Sequence, residues 1–329
     1  MPAHPVLPPP APADLVAALP RALRPGDRVL VVAPSSAPRS ETLLAAGLAA
    51  LHARGYRPEL LRDRHDPHGF LCGDDDARAD EFNRALRDPD APAIFCVRGG
   101  YGALRLLPAL DYDAARRHPK LLVGYSDVTA LHLALYEKAG WRGLSGPMVA
   151  VEWAEHDDAS ETLFWHLAHG GTADDLLGPH GERLEGVADG EAEGVLLGGN
   201  LTLLDRLLGT PYLPPLDGAL LFLEEIGEEP YRLDGLLAHL VLAGVFDRIG
   251  GLVLGGFTDS APTQTHFLSQ DDVLAHYTGL LAARGVPVAR GLVYGHFPVK
   301  NTLPIGVRAR LTVRGADAQL AILEPVVRP

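Results

Sequence analysis

Pro119–Leu135 reads PKLLVGYSDVTALHLAL. Three apolar residues, Leu121–Val123, lead into Gly124-Tyr125-Ser126-Asp127, and an apolar-periodic stretch follows. This pattern predicts a buried strand that hands a serine to the start of a helix. A serine there stands at the carboxyl end of a sheet, where α/β proteins place ligands. The free N–H groups of the helix start can hold an oxyanion. The nucleophile elbow of hydrolases is G-x-S-x-G. Here Gly124 and Ser126 match and Val128 takes the last place, so the match is partial. An ordinary N-cap serine is the competing reading.

A nucleophilic serine needs a base, and the base needs a carboxylate to orient it. The stretch GALLFLEEIGEEPY ends an apolar strand with Glu224 and Glu225, and VYGHFPVKNTLPIG sets His296 just after another apolar strand, behind Gly295. The order Ser126, Glu224, His296 is the nucleophile–acid–base order also found in α/β-hydrolases. A solvated acidic loop, continued by Glu228 and Glu229, and a structural histidine are the alternatives. A second glycine-rich turn, VRGGYG, offers the backbone N–H of Gly99 or Gly100 to a developing oxyanion. Arg98 or Lys300 could supply positive charge to an anionic substrate group, and the sequence selects neither.

Around this core the N-terminal half alternates short apolar runs with amphipathic ones: DRVLVVAP, TLLAAGLAALHARG, YRPELL, GDDDARADEFNRALRD and APAIFCVRGG. That alternation predicts a parallel sheet covered on both faces. Residues 1–19 are proline-rich and read as a loose N-terminal arm without a secretory signal. The first domain is expected over 20–150, a polar, glycine-rich linker over 151–190, and a second domain over 191–329. The second domain mixes strands and helices and ends in an antiparallel pair, RARLTVRG and AQLAILEP.

The chain has 329 residues and a net charge of −13. Such a charge repels phosphate backbones, which argues against nucleic-acid binding. No apolar run is long enough to span a membrane. Two cysteines, Cys72 and Cys96, give neither a disulfide framework nor a CxxC metal signature, and a cytoplasmic location is expected. His65, His68 and the neighbouring aspartates match no metal-ligand spacing, so no metal is expected. The Walker pattern and G-x-G-x-x-G are absent. His132 and His239 lie among leucines and read as core or edge residues, and Asn200 reads as an N-cap.

Taken together, VVAPSSAP, GFLCGDDDARADEFNRAL, RGGYGALRLLPALDY, LVGYSDVTALHLAL, LLGGNLTLL, LFLEEIGEEPYRLDGLL and GHFPVKNTLPIG resemble the LD-carboxypeptidase family of serine peptidases. That family comprises the muramoyltetrapeptide carboxypeptidases and the microcin C self-immunity peptidases. The resemblance runs from about Arg24 to Pro325 and leaves out the N-terminal arm. It implies a triad of Ser126, Glu224 and His296, selecting the first glutamate of the pair, and an oxyanion hole from the N–H groups of Gly100 and Asp127. It implies an N-terminal domain resembling class I glutamine amidotransferases and a C-terminal domain of swivelling β/β/α type. It further implies a homodimer that needs no cofactor and removes the terminal D-alanine of murein tetrapeptides in cell-wall recycling. Cleavage of peptide–nucleotide conjugates is one alternative, and a peptide-binding protein without catalysis is another.

Overall fold

The computed structural model describes residues 19–62, 66–155, 158–262, 264 and 268–329. In the N-terminal half the strands are β1 (Arg28–Val32), β2 (Arg57–Leu60), the two-residue β3 (Pro67–His68) and β4 (Leu71–Cys72), β5 (Ala93–Cys96), β6 (Leu121–Val123) and β7 (Gly143–Ser145). Strands β7, β6, β5, β1 and β2 run parallel in that order. Every residue of β5 and β6 is buried, which explains their continuous apolar sequence.

Helices cover this sheet, and their ends are legible in the chain. Ser40 caps the helix Glu41–Ala53 by accepting the N–H of Leu43, and Asp74 caps Asp75–Arg87 by accepting that of Ala77. Gly140, in the left-handed region, closes Thr129–Ala139.

The C-terminal half forms β8 (Leu184–Ala188), β9 (Gly190–Asn200), β10 (Leu220–Ile226), β11 (Gly251–Thr258), β12 (Val288–Arg290), β13 (Leu303–Ile305), β14 (Val307–Arg314) and β15 (Asp317–Ile322). Seven of them close a barrel in the order β10-β11-β12-β8-β15-β14-β9. The anticipated terminal pair is β14 with β15, antiparallel over six residue pairs. The molecule is therefore a two-domain α/β protein, with a parallel-containing sheet and a seven-stranded barrel.

Two stretches differ from the sequence expectation. Residues 151–190, read as linker, hold the helices Glu152–Glu155 and Asp158–Ala168 and the barrel strand β8. Trp153, Phe164 and Leu167 from this stretch are fully buried. The polar, glycine-rich character that suggested a linker belongs mainly to the turns between these elements. The apolar strand expected just before His296 ends at Arg290, because Gly291 takes a φ of 80° and turns the chain. The chain beyond still follows β11, through Leu292 N–H to Leu254 O (3.1 Å) and Gly256 N–H to Tyr294 O (2.8 Å).

Two links between the halves position the site. Strand β13 returns to the first sheet and pairs antiparallel with β7. The end of β9 meets the helix that follows Ser126: Asn200 N–H donates to Thr129 Oγ1 at 3.1 Å, fully out of water.

Candidate active site

Ser126 begins a 3-10 turn, Ser126–Val128, that runs directly into the helix Thr129–Ala139. Its φ is 63°, an uncommon conformation for a residue with a side chain. Such strain persists only where the surroundings enforce it, and it clusters at functional positions. Gly124 takes a φ of 153° in a gap that a Cβ would crowd, 3.1 Å from both Cys96 Cβ and Val128 Cγ2. Beneath the turn, His132 Nε2 lies 2.8 Å from Gly124 O. A carbonyl only accepts, so Nε2 carries the proton. Complete burial lowers the pKa of His132 to about 4, and the ring is a neutral brace. The core role read for His132 thus gains a specific contact.

Three residues anticipated from the sequence come together here. His296 Nε2 lies 3.1 Å from Ser126 Oγ, and His296 Nδ1 lies 2.8 Å from Glu224 Oε2. The carboxylate accepts from Nδ1–H, which leaves Nε2 free to accept from the serine hydroxyl. The serine comes from the sheet domain, and the other two come from the barrel side. Gly295, at φ 127°, lets the loop pass Glu224: a Cβ there would lie 3.1 Å from Glu224 Oε2.

Adjacent glutamates on β10 have separate tasks. Parallel pairing sets Glu224 beside Asn200, while the register with β11 shifts between Leu223 and Glu225. Such irregularities re-aim side chains beside sites. Glu224 is fully buried, and its Oε1 accepts from Asn200 Nδ2 at 3.2 Å. Glu225 accepts from Asn200 Nδ2 (2.9 Å), Thr202 N–H (2.8 Å) and its own neighbour Ile226 N–H (2.9 Å). Burial pushes the Glu225 carboxyl above the usual range, although these donors oppose the rise. Asn200 is the helix cap anticipated from sequence, accepting Leu203 N–H at 3.2 Å. Its bridge to both glutamates was not legible there.

The glycine turn after β5 lies against the serine. A Cβ on Gly99 would come within 3.3 Å of Ser126 Oγ. Gly100, at φ 115°, sits against Ser36, whose Oγ accepts Tyr101 N–H at 3.2 Å. Among the described residues, the N–H groups of Gly100 and Asp127 donate to no protein atom. The Asp127 side chain points into the core, where Oδ2 accepts from Ser35 Oγ (2.6 Å) and Ala103 N–H (2.8 Å). Burial raises its pKa.

A second buried cluster, which the sequence did not reveal, backs the histidine. Lys300 Nζ lies 2.7 Å from Glu152 Oε1 and donates to Tyr125 Oη at 2.7 Å. Tyr125 donates in turn to Glu152 Oε1 at 2.8 Å, and its ring centroid is 5.3 Å from that of His296. Glu152 Oε2 also accepts Met148 N–H. Lys300, named from sequence as a possible carboxylate ligand, is thus a neutralised core residue.

The histidine–aspartate stretch is otherwise employed. Asp74 caps a helix, and Asp75 pairs with Arg78 and Arg105. His65 lies outside the described residues. Among the described residues no group of three His, Cys, Asp or Glu side chains is placed to hold a metal ion, and no helix is long and apolar enough to cross a membrane. Cys72 and Cys96 are free and buried.

This arrangement matches known proteins along most of the chain. Residues 29–146 match the LD-carboxypeptidase N-terminal domain and residues 193–311 the LD-carboxypeptidase C-terminal domain. A probable murein peptide carboxypeptidase of Bacillus subtilis is 34% identical over 299 residues, covering 89% of this chain and 91% of the relative. The murein tetrapeptide carboxypeptidase of Pseudomonas aeruginosa is 31% identical over 290 residues, covering 86% and 92%. The crystal structure of muramoyltetrapeptide carboxypeptidase from Oxalobacter formigenes superposes with a TM-score of 0.77 at 30% identity, over 90% of this chain and 98% of that one. The microcin C7 self-immunity protein of Escherichia coli is 27% identical over 312 residues, covering 83% and 87%. With both domain matches in order and relatives aligned along nearly their whole length, this chain belongs to the LD-carboxypeptidase family of serine peptidases.

Proposed function

We propose that this protein is the serine carboxypeptidase that removes the terminal D-alanine from murein tetrapeptides. One observation carries the mechanism: a single imidazole bridges Ser126 and Glu224, at 3.1 and 2.8 Å. His296 Nε2 takes the Ser126 proton as Oγ attacks the carbonyl carbon before D-alanine. Glu224 holds the ring and offsets the charge of the imidazolium. The N–H groups of Gly100 and Asp127 receive the oxyanion, an interaction whose loss costs on the order of 10²–10³-fold in rate. His296 then passes its proton to the departing amine, D-alanine leaves, and an acyl-enzyme on Ser126 remains. Water deprotonated by the same ring releases the shortened peptide and restores the serine. Every step is a proton or acyl transfer that these side chains complete themselves.

Relatives named for murein peptides support this substrate, and one of them is named a tetrapeptide carboxypeptidase. Free, buried thiols and the acidic chain fit a cytoplasmic enzyme acting on recycled peptides. We read it as a homodimer, which sedimentation at micromolar concentration tests. We read the first domain as extending past residue 150 through the helix Asp158–Ala168, and the second as starting with the barrel strand Leu184–Ala188, with the site formed between them. Incubation with tetrapeptide should release one D-alanine, seen by mass analysis of the products, while pentapeptide ending in D-Ala-D-Ala should stay nearly intact. Equal cleavage of both would contradict the assignment. The likeness to the microcin C7 self-immunity protein keeps one other substrate in view. Cleavage of a peptide–nucleotide conjugate without cleavage of tetrapeptide would move the assignment there.

A further inference from the structure

A carboxypeptidase must recognise a free terminal carboxylate, so a cation with no protein anion should stand beside the nucleophile. Lys300 is excluded, because Glu152 and Tyr125 already hold its ammonium group. Arg98 is different. It immediately precedes Gly99, whose Cβ position lies 3.3 Å from Ser126 Oγ. It is half-buried, and among the described residues its guanidinium forms no ion pair. Its one side-chain hydrogen bond there runs from Nη1 to Ala37 O at 3.2 Å. Ala37 follows Ser36, the residue that braces Gly100 and Tyr101, so one corner of the guanidinium is tied to the loop supporting the glycine turn. An arginine has five N–H donors in a planar fork. Most of those on Arg98 meet no protein acceptor among the described residues.

Arg39, exposed on the same loop, also forms no ion pair among the described residues. The two charges repel, and burial together with this neighbour lowers the pKa of Arg98. A half-buried cation beside a like charge is costly unless an anion arrives. This chain has 42 acidic against 29 basic residues, so carboxylate partners are plentiful, and many of its other arginines take one.

We propose that Arg98 binds the terminal carboxylate of the peptide substrate and that Arg39 adds positive field at the same mouth. The proposal rests on the carboxypeptidase reading above and names its specificity-determining residue. A planar fork suits a bidentate carboxylate, and a lysine would offer only a point charge. Binding at Arg98 would fix the leaving residue, so the scissile carbonyl falls at Ser126 by distance from the free end.

The test compares tetrapeptide with its C-terminal carboxamide, using the wild type, Arg98→Met and Arg98→Lys. A charged hydrogen bond of this type accounts for roughly 10- to 100-fold in binding. Wild type should prefer the carboxylate by at least that factor in kcat/KM. Arg98→Met should lose the preference mainly through KM, and Arg98→Lys should keep part of it. Thermal melting checks that each variant is folded. Binding of both peptides to Ser126→Ala and to Ser126→Ala/Arg98→Met, read by calorimetry, gives the same comparison without turnover. Undiminished preference in Arg98→Met overturns the proposal and leaves the carboxypeptidase reading standing. A folded wild type that neither binds nor cleaves tetrapeptide overturns both.

Discussion

Asn200 N–H donates to Thr129 Oγ1 at 3.1 Å, joining the last residue of β9 to the helix that starts behind Ser126. The same asparagine donates from Nδ2 to Glu224. One residue thus ties the serine's helix to the carboxylate that orients the histidine, across the junction of sheet and barrel. Thr129→Val keeps the shape and removes the acceptor, leaving a buried N–H unpaired at a cost of about 1–3 kcal/mol. The expected result is a lower melting temperature with kcat reduced about 10-fold or more and KM little changed, since small displacements of reacting groups are costly. Unchanged steady-state kinetics would show that this joint does not align the site.

The Lys300–Glu152 pair gives a contrasting outcome. Both side chains are largely withdrawn from water. Lys300→Met strands the glutamate and should destabilise the protein by about 3–5 kcal/mol. Lys300→Met/Glu152→Gln removes the unpaired charge and should recover much of that loss in a denaturant titration. Neither variant should change the preference for a free carboxylate over a carboxamide.

Ser126 carries a backbone cost that substitution can expose. At φ 63° a side chain is disfavoured and glycine is not. Ser126→Gly and Ser126→Ala should both be inactive, yet the glycine form should be the more stable, by about 1 kcal/mol. Equal stability in chemical denaturation would mean that the elbow is not strained.

His132 makes stability depend on pH. Its pKa falls from the ordinary 6.5 to about 4 in the folded protein because burial disfavours the charged ring. The unfolded chain therefore binds the proton first. The contribution is complete above pH 6.5 and is lost as pH falls toward 4, reaching about 3 kcal/mol. His132→Gln should flatten the stability profile between pH 6.5 and 4, whatever its effect at neutral pH. A profile as steep as that of the wild type would contradict this account.

Much of this was legible in the chain because the relevant signals are local. Leu121–Val123 followed by Gly124-Tyr125-Ser126 announces a buried strand and a tight turn, and that is how the segment folds. The amphipathic run GDDDARADEFNRALRD folds as the helix Asp75–Arg87, with Asp74 as its cap. The triad residues stood at ends of apolar runs, and the folded chain brings their side chains together. What escaped depends on contacts distant in sequence. Lys300 looked like a free cation until Glu152, 148 positions earlier, took its charge. Strand β8 was hidden in a polar stretch because its partners, β12 and β15, lie a hundred residues or more downstream. The strand expected before His296 stops early because Gly291 turns the backbone, which glycine content alone does not announce.

Turnover of murein tetrapeptide by purified Ser126→Ala tests the central claim most directly. The account predicts a folded protein whose kcat falls by roughly 10³- to 10⁶-fold, with little further loss when Glu224→Ala or His296→Ala is added, because the three groups act as a unit. Ser126→Ala protein that releases D-alanine at close to the wild-type rate would contradict it.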